Sequence, residues 1–200
     1  MAATSLDELR LISEQLAGEH TIRSIRDRAM ILFGFATAFR RIEIAGFDLS
    51  DIELKPASLA ISLGKSKADQ EGKGRELVIP KAKDPGLCPI LALNEWLEAR
   101  GRWPGPLFTD IRGKKVLKLT RNRMECSVVC YAVRAAAKRA GIAHYRKFGA
   151  HSLRAGFVTT ATDAGADIFD IMAVTGHRSI DTLRKYVRRS TARYPLRAVL

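Results

Sequence analysis

The run AMILFGFATAF at 29–39 constrains the fold more than any other stretch of the chain. Wound as a helix it is apolar on nearly every side, so it has to be covered all round and pass through the centre of a core. The spacing predicts a helix over 21–38. Its first half is charged, with Arg23, Arg26, Asp27 and Arg28, and its apolar half ends at Arg40. A run of this length falls short of the ~20 apolar residues of a membrane span. Hydrophobic residues make up 46% of the 200 residues, enough to build one domain around such a helix.

The flanking segments supply the cover. Ser5 and Glu8 have the spacing of a capping box. The helix they start runs to about 17, with Leu9, Ile12 and Leu16 on one face, and Gly18 ends it. This amphipathic, acid-bearing N-terminus does not read as a secretory signal, so a cytoplasmic protein is expected. After 49 the period changes. Ile52 and Leu54, then Leu59, Ile61 and Leu63, alternate with other residues, and 76–79 returns as a strand stopped by Pro80. That predicts three antiparallel strands, with Lys65, Lys67, Lys73 and Arg75 at the tip of the second hairpin. A helix over 89–100 faces inward through Ile90, Leu93, Trp96 and Leu97. Residues 103–118 read as a loop, and 120–140 as a long helix lined by Val128, Tyr131, Ala132 and Ala135. Helices over 152–164 and 168–174 follow, and Ser179 caps a third. The expected class is α+β, mainly helical, with a small three-stranded antiparallel sheet.

The formal net charge is +13. Such an excess points to a polyanionic partner, nucleic acid first, with binding that weakens steeply in salt. Arg121 and Arg123 at the head of the 120–140 helix, together with the hairpin cations Lys65, Lys73 and Arg75, are candidate DNA contacts; a solvated basic face is the plainer reading of each. The 3 cysteines show no framework spacing. Cys126 and Cys130 stand at i and i+4 without a second ligand pair, so buried thiols are expected, with no metal and no cofactor.

The chemistry concentrates between 151 and 186. His151 and Arg154, at i and i+3, point the same way on a helix. Gly176-His177 follows the next apolar segment, and Tyr186 comes after it. Such a set can grip a phosphodiester and attack it. Arg40, emerging from the core run, is either a surface residue or a charge aimed into that site.

Together these motifs resemble the catalytic domain of the tyrosine recombinase (phage integrase) family. The first box reads Thr37-Ala-Phe-Arg40-Arg-Ile-Glu43, the hairpin carries Ser66-Lys67, and the later boxes are His151-Ser-Leu-Arg154, Gly176-His177 and Tyr186, all in the family's order. The resemblance spans about 5–189. It implies that Tyr186 attacks DNA to form a 3′-phosphotyrosyl bond, that Arg40 and Arg154 clamp the non-bridging oxygens, and that Lys67 protonates the leaving 5′ oxygen. It further implies His151 as general base or proton carrier, His177 as a donor to a non-bridging oxygen, and Glu43 as an orienting group. Double-stranded DNA and a homo-tetramer on paired sites are the implied partners.

Two departures stand out. Ala38 replaces the glycine usual before the first-box arginine, and Arg41 adds a charge that can contact DNA. Residues 1–200 read as the catalytic domain alone, without the N-terminal core-binding domain of the family. Other readings are a non-catalytic DNA-binding module of the same fold and a type IB topoisomerase-like relaxing enzyme. A metal-dependent nuclease is disfavoured, since no acidic cluster is visible.

Overall fold

The computed structural model describes residues 2–64, 75–177 and 179–181, with the backbone alone for Arg75. Helix α1 (Leu6–Gly18) begins as the sequence predicts: the Glu8 amide donates to Ser5 Oγ at 3.2 Å, and the Ser5 amide donates to the Glu8 carboxylate at 2.8 Å. Leu9, Ile12 and Leu16 are buried. Helix α2 (Ile22–Thr37) is the centre of the molecule. Ala29 through Phe33 are 0–1% exposed, and α1, α4 (Pro89–Arg100), α5 (Cys126–Arg139) and α6 (Ala150–Asp163) pack around it. A second capping box, Thr21 with Ser24, starts α2. Its basic half is paired: Arg26 donates from Nε and Nη2 to Asp27 and from Nη1 to the Thr109 carbonyl, all buried.

α2 ends at Ala38, whose φ of 53° lies in the left-handed region. The chain turns there into α3 (Arg41–Gly46). Strands β1 (Ile52–Leu54), β2 (Ser58–Leu63) and β3 (Arg75–Pro80) form the expected antiparallel sheet in that order. Leu59 pairs with Ile79 and Ile61 with Leu77, so one face meets the core while Val78 points out. Helix α4 (Pro89–Arg100) buries Ile90, Leu93, Trp96 and Leu97, as its period requires.

The segment between α4 and α5 departs from the sequence reading. Strands β4 (Thr109–Arg112) and β5 (Lys118–Arg123) make a second, two-stranded antiparallel sheet where a loop and the start of a helix were expected. Thr109 and Ile111 are buried and alternate with outward residues, but only four residues carry this period in β4. In β5 the sequence KLTRNR is mostly charged or polar, and it suits a solvated helix turn equally well.

Helix α5 therefore starts late, at Cys126, and runs to Arg139. Its buried face is Val129, Ala132, Val133, Ala136 and Ala137. Tyr131, placed on the inner face by the sequence reading, is 66% exposed. In an alanine-rich helix two neighbouring stripes fit the period equally well, and only packing chooses between them. Cys126 and Cys130 are half-buried; Cys88 is fully buried.

Helices α6 (Ala150–Asp163) and α7 (Ile168–Thr175) complete the described core. The N-terminal strap is laced to α6 and to the short turn before it: the Thr4 amide donates to Ser152 O at 3.0 Å, and the Ala2 amide donates to Lys147 O at 3.3 Å. Among the described residues no helix is long and apolar enough to cross a membrane.

Candidate active site

Three chain turns bring the candidate residues together: the end of α2, the start of α6 and the end of α7. Arg154, 3% exposed, lies one turn along α6 from His151. Its Nη1 donates to Ala38 O at 2.7 Å, and its Nη2 lies 2.9 Å from His177 Nε2. The left-handed turn at Ala38 brings that carbonyl to the guanidinium. Gly176, also left-handed with φ 68°, closes α7 and delivers His177 directly after it. Thr175 Oγ1 lies 2.8 Å from His177 Nδ1 and donates to Ile171 O at 2.7 Å.

Arg40 caps α3 from the other side. Its amide donates to the Glu43 carboxylate at 2.6 Å, and its guanidinium stands 3.4 Å from the same group. Glu43 thus satisfies the open start of α3 and steers Arg40, whose side chain remains 60% exposed. Arg41 is exposed on the outer side of the same turn.

The electrostatics show how closely these groups converge. Burial pushes the His177 imidazole down to about 4, and the Arg154, Arg40 and His151 charges add to the effect, in that order. Partial burial and then Arg154 also lower His151. Both shifts favour the neutral imidazole at pH 7, beside two permanent guanidinium cations, an arrangement that can accept an anion. Among the described residues no cluster of three His, Cys, Asp or Glu is placed to hold a metal ion.

Arg40, Glu43, His151, Arg154 and His177 thus lie in one region. Lys65, Lys67, Lys73, the Arg75 side chain and Tyr186 fall outside the described residues. Arg121 and Arg123 sit on β5 and not on a helix. Arg121 lies over the Trp103 ring at 5.3 Å. Arg123 Nη1 donates to the carbonyls of Ala45, Gly46 and Phe47, and its Nη2 pairs with Asp48 at 2.6 Å. It ties down the end of α3, a role the sequence reading missed. Thr175 was also missed, although a threonine four residues after a helical carbonyl commonly bonds back to it.

Known proteins resemble this chain over nearly its whole length. The model of the Phage integrase family matches residues 5–193. The chain belongs to the phage integrase family. An integrase/recombinase XerD homolog from Selenomonas ruminantium is 32% identical over 184 residues, covering 92% of this chain and 53% of that protein. Tyrosine recombinase XerC from Corynebacterium glutamicum is 29% identical over 195 residues, covering 92% and 56%. The phage integrase chain thus spans about half the length of these curated relatives.

Among solved structures, XerA recombinase aligns with a TM-score of 0.70 at 23% identity, over 95% of this chain and 60% of that one. XerH site-specific recombinase, bound to its difH substrate before cleavage, aligns at 0.71 and 22% identity, over 94% and 51%. The fold of this phage integrase family member is accordingly that of the tyrosine recombinases, mainly helical with a small antiparallel sheet.

Proposed function

We propose that this chain is the catalytic domain of a site-specific DNA recombinase that cuts and rejoins one strand at a time without a metal ion. The observation that carries the reading is the meeting of Arg154 and His177, 2.9 Å apart, in a region whose charge also comes from Arg40. Two planar guanidiniums suit the non-bridging oxygens of a phosphodiester, where negative charge builds up during in-line attack. In the reaction the Tyr186 oxygen bonds to phosphorus and the bond from phosphorus to the 5′ oxygen breaks. The phenolic proton leaves as the nucleophile forms, and the departing 5′ oxygen takes a proton from Lys67. A phenol of pKa near 10 needs help to ionise, which His151 supplies as base or proton carrier. Rejoining is the same step reversed.

Double-stranded DNA is the substrate, and the net charge of +13 draws it in. A homo-tetramer on paired sites fits strand exchange; a lambda integrase tetramer has been solved on a Holliday junction, with the same fold at a TM-score of 0.61. Residues 1–200 act as the catalytic unit, in the cytoplasm and on the nucleoid.

The test is trapping with a nicked duplex in low salt and chelator, denatured and run on a gel. Wild type is expected to form a covalent adduct, and Tyr186→Phe none. An adduct that survives in Tyr186→Phe would move the nucleophile elsewhere. An adduct that needs Mg²⁺ would rule out the metal-free scheme.

A further inference from the structure

Thr175 contributes no charge and sits at 4% exposure at the end of α7, with its hydroxyl against the His177 ring. Its hydroxyl lies 2.7 Å from Ile171 O and 2.8 Å from His177 Nδ1. A hydroxyl has one proton, and a carbonyl oxygen can only accept, so that proton goes to Ile171. Nδ1 must then carry its own hydrogen and donate it to Oγ1. On the other side of the ring, Nε2 lies 2.9 Å from Arg154 Nη2. A guanidinium can only donate, so Nε2 presents a lone pair. The two contacts are independent and agree on the neutral ring with hydrogen on Nδ1.

That form has a consequence at the proposed active site. A phosphate oxygen accepts hydrogen bonds, and an Nε2 lone pair has nothing to give it. We propose that Thr175 is a positioning residue that locks His177 in its Nδ1–H form, so that His177 accepts from Arg154 in the absence of DNA and becomes a donor to a non-bridging phosphate oxygen only by gaining a proton on Nε2. The inference rests on the recombinase reading for the identity of the anion, and on the hydrogen-bond geometry alone for the tautomer.

The charges facing the ring explain why the proton waits for the phosphate. Arg154 on α6 and Arg40 at the head of α3, joined by His151 whenever it is protonated, disfavour a positive charge on the ring. A phosphodiester placed among them offsets that repulsion, and Arg154 turns from the imidazole to the anion. DNA binding is then coupled to uptake of one proton. A ring freed from Thr175 can instead place its hydrogen on Nε2 and donate without that proton.

The closing experiment uses the full chain with ¹⁵N-labelled histidines, the His177 signals being assigned through His177→Gln. In wild type and Thr175→Ser, Nδ1 is expected to resonate as a protonated nitrogen and Nε2 as an unprotonated one at pH 7.5. Thr175→Val keeps the shape and removes the acceptor; only Arg154 then holds the tautomer, and hydrogen is expected to divide between Nδ1 and Nε2 instead of resting on Nδ1 alone. Covalent trapping on the nicked duplex across pH 5.5–8.5 reads the second half. Wild type and Thr175→Ser should lose adduct rate as pH rises; Thr175→Val should flatten that profile and run about tenfold slower, the rate lost with roughly one hydrogen bond of alignment. Hydrogen on Nε2 in the wild-type protein overturns the proposal even if the valine variant fails to fold, as does a wild-type tautomer in folded Thr175→Val. A matching spectrum with no adduct from wild type upholds the tautomer lock and removes the recombinase reading.

Discussion

Arg154 donates to the carbonyl of Ala38 across 116 residues of chain, at 2.7 Å, within the buried core. The contact joins the second arginine motif to the turn that carries the first. It also explains why Ala38, two residues before Arg40, matters. A carbonyl placed by a left-handed turn holds one arginine, and the next residues present the other. Ala38 adopts φ 53° there with a side chain, which costs an L-residue roughly 1–2 kcal/mol.

Ala38→Gly should therefore stabilise the fold slightly. Relief of the left-handed strain outweighs the loss of one buried methyl, about 0.8 kcal/mol, leaving a net gain on the order of 0.5 kcal/mol. Ala38→Val, branched at Cβ in the same turn, should lose more than 2 kcal/mol, by a rough estimate. Urea unfolding of the three proteins measures this. A glycine variant clearly less stable than wild type would show that the methyl's packing dominates.

Gly156 and Gly34 should respond differently to alanine. A Cβ at Gly156 would land on the Thr4 carbonyl oxygen and 2.9 Å from the Phe35 ring, whereas at Gly34 it would meet the ends of Ile44 and Leu153 at 2.9 and 3.1 Å. Backbone yields less readily than a side-chain tip. Gly156→Ala is expected to cost about 3 kcal/mol and to release the N-terminal strap to proteolysis, while Gly34→Ala costs about 1 kcal/mol. Equal losses in thermal melts would refute the distinction.

Arg123→Ala should act on stability before it acts on DNA binding. Losing three carbonyl contacts and the Asp48 pair at the end of α3 is expected to cost about 2 kcal/mol. The salt dependence of DNA binding should stay that of wild type, because this guanidinium is already paired with the end of α3 and with Asp48. A drop of about one in the slope of log affinity against log salt, with stability intact, would make it a phosphate contact after all.

Acid should weaken the fold through His177. Its pKa is held at about 4 in the folded chain against 6.5 in an open one, with burial as the chief cause. The unfolded chain thus binds the proton more readily, so the histidine's contribution is complete above pH 6.5 and is lost as pH falls from there towards 4. His151 shifts in the same direction. Urea midpoints measured across that window should fall less steeply for His177→Asn than for wild type. Parallel slopes would mean that His177 does not carry the effect.

What the sequence determined by itself was whatever depends on near neighbours. Ser5 and Glu8 make their cap because the spacing alone puts each beside the other's amide. The run at 29–39 had to be a central helix because no outward face existed for it to show. The alternation of Leu59 and Ile61 was enough for a strand, and the order of Arg40, His151, Arg154 and His177 was enough to suggest the family. Tertiary structure decided the rest. β4 and β5 are strands because they pair with each other, and their polar outer faces carry no period that says so. The stripe of α5 that turns inward was chosen by what packs on it, leaving Tyr131 outside. Arg123 reads as a DNA contact on its own, and becomes a brace only when folding sets it against the end of α3. The hold of Ala38 on Arg154 is of the same kind. Hydrogen-bond partners so far apart in the chain are assigned by the fold, since nothing local to either residue specifies the other.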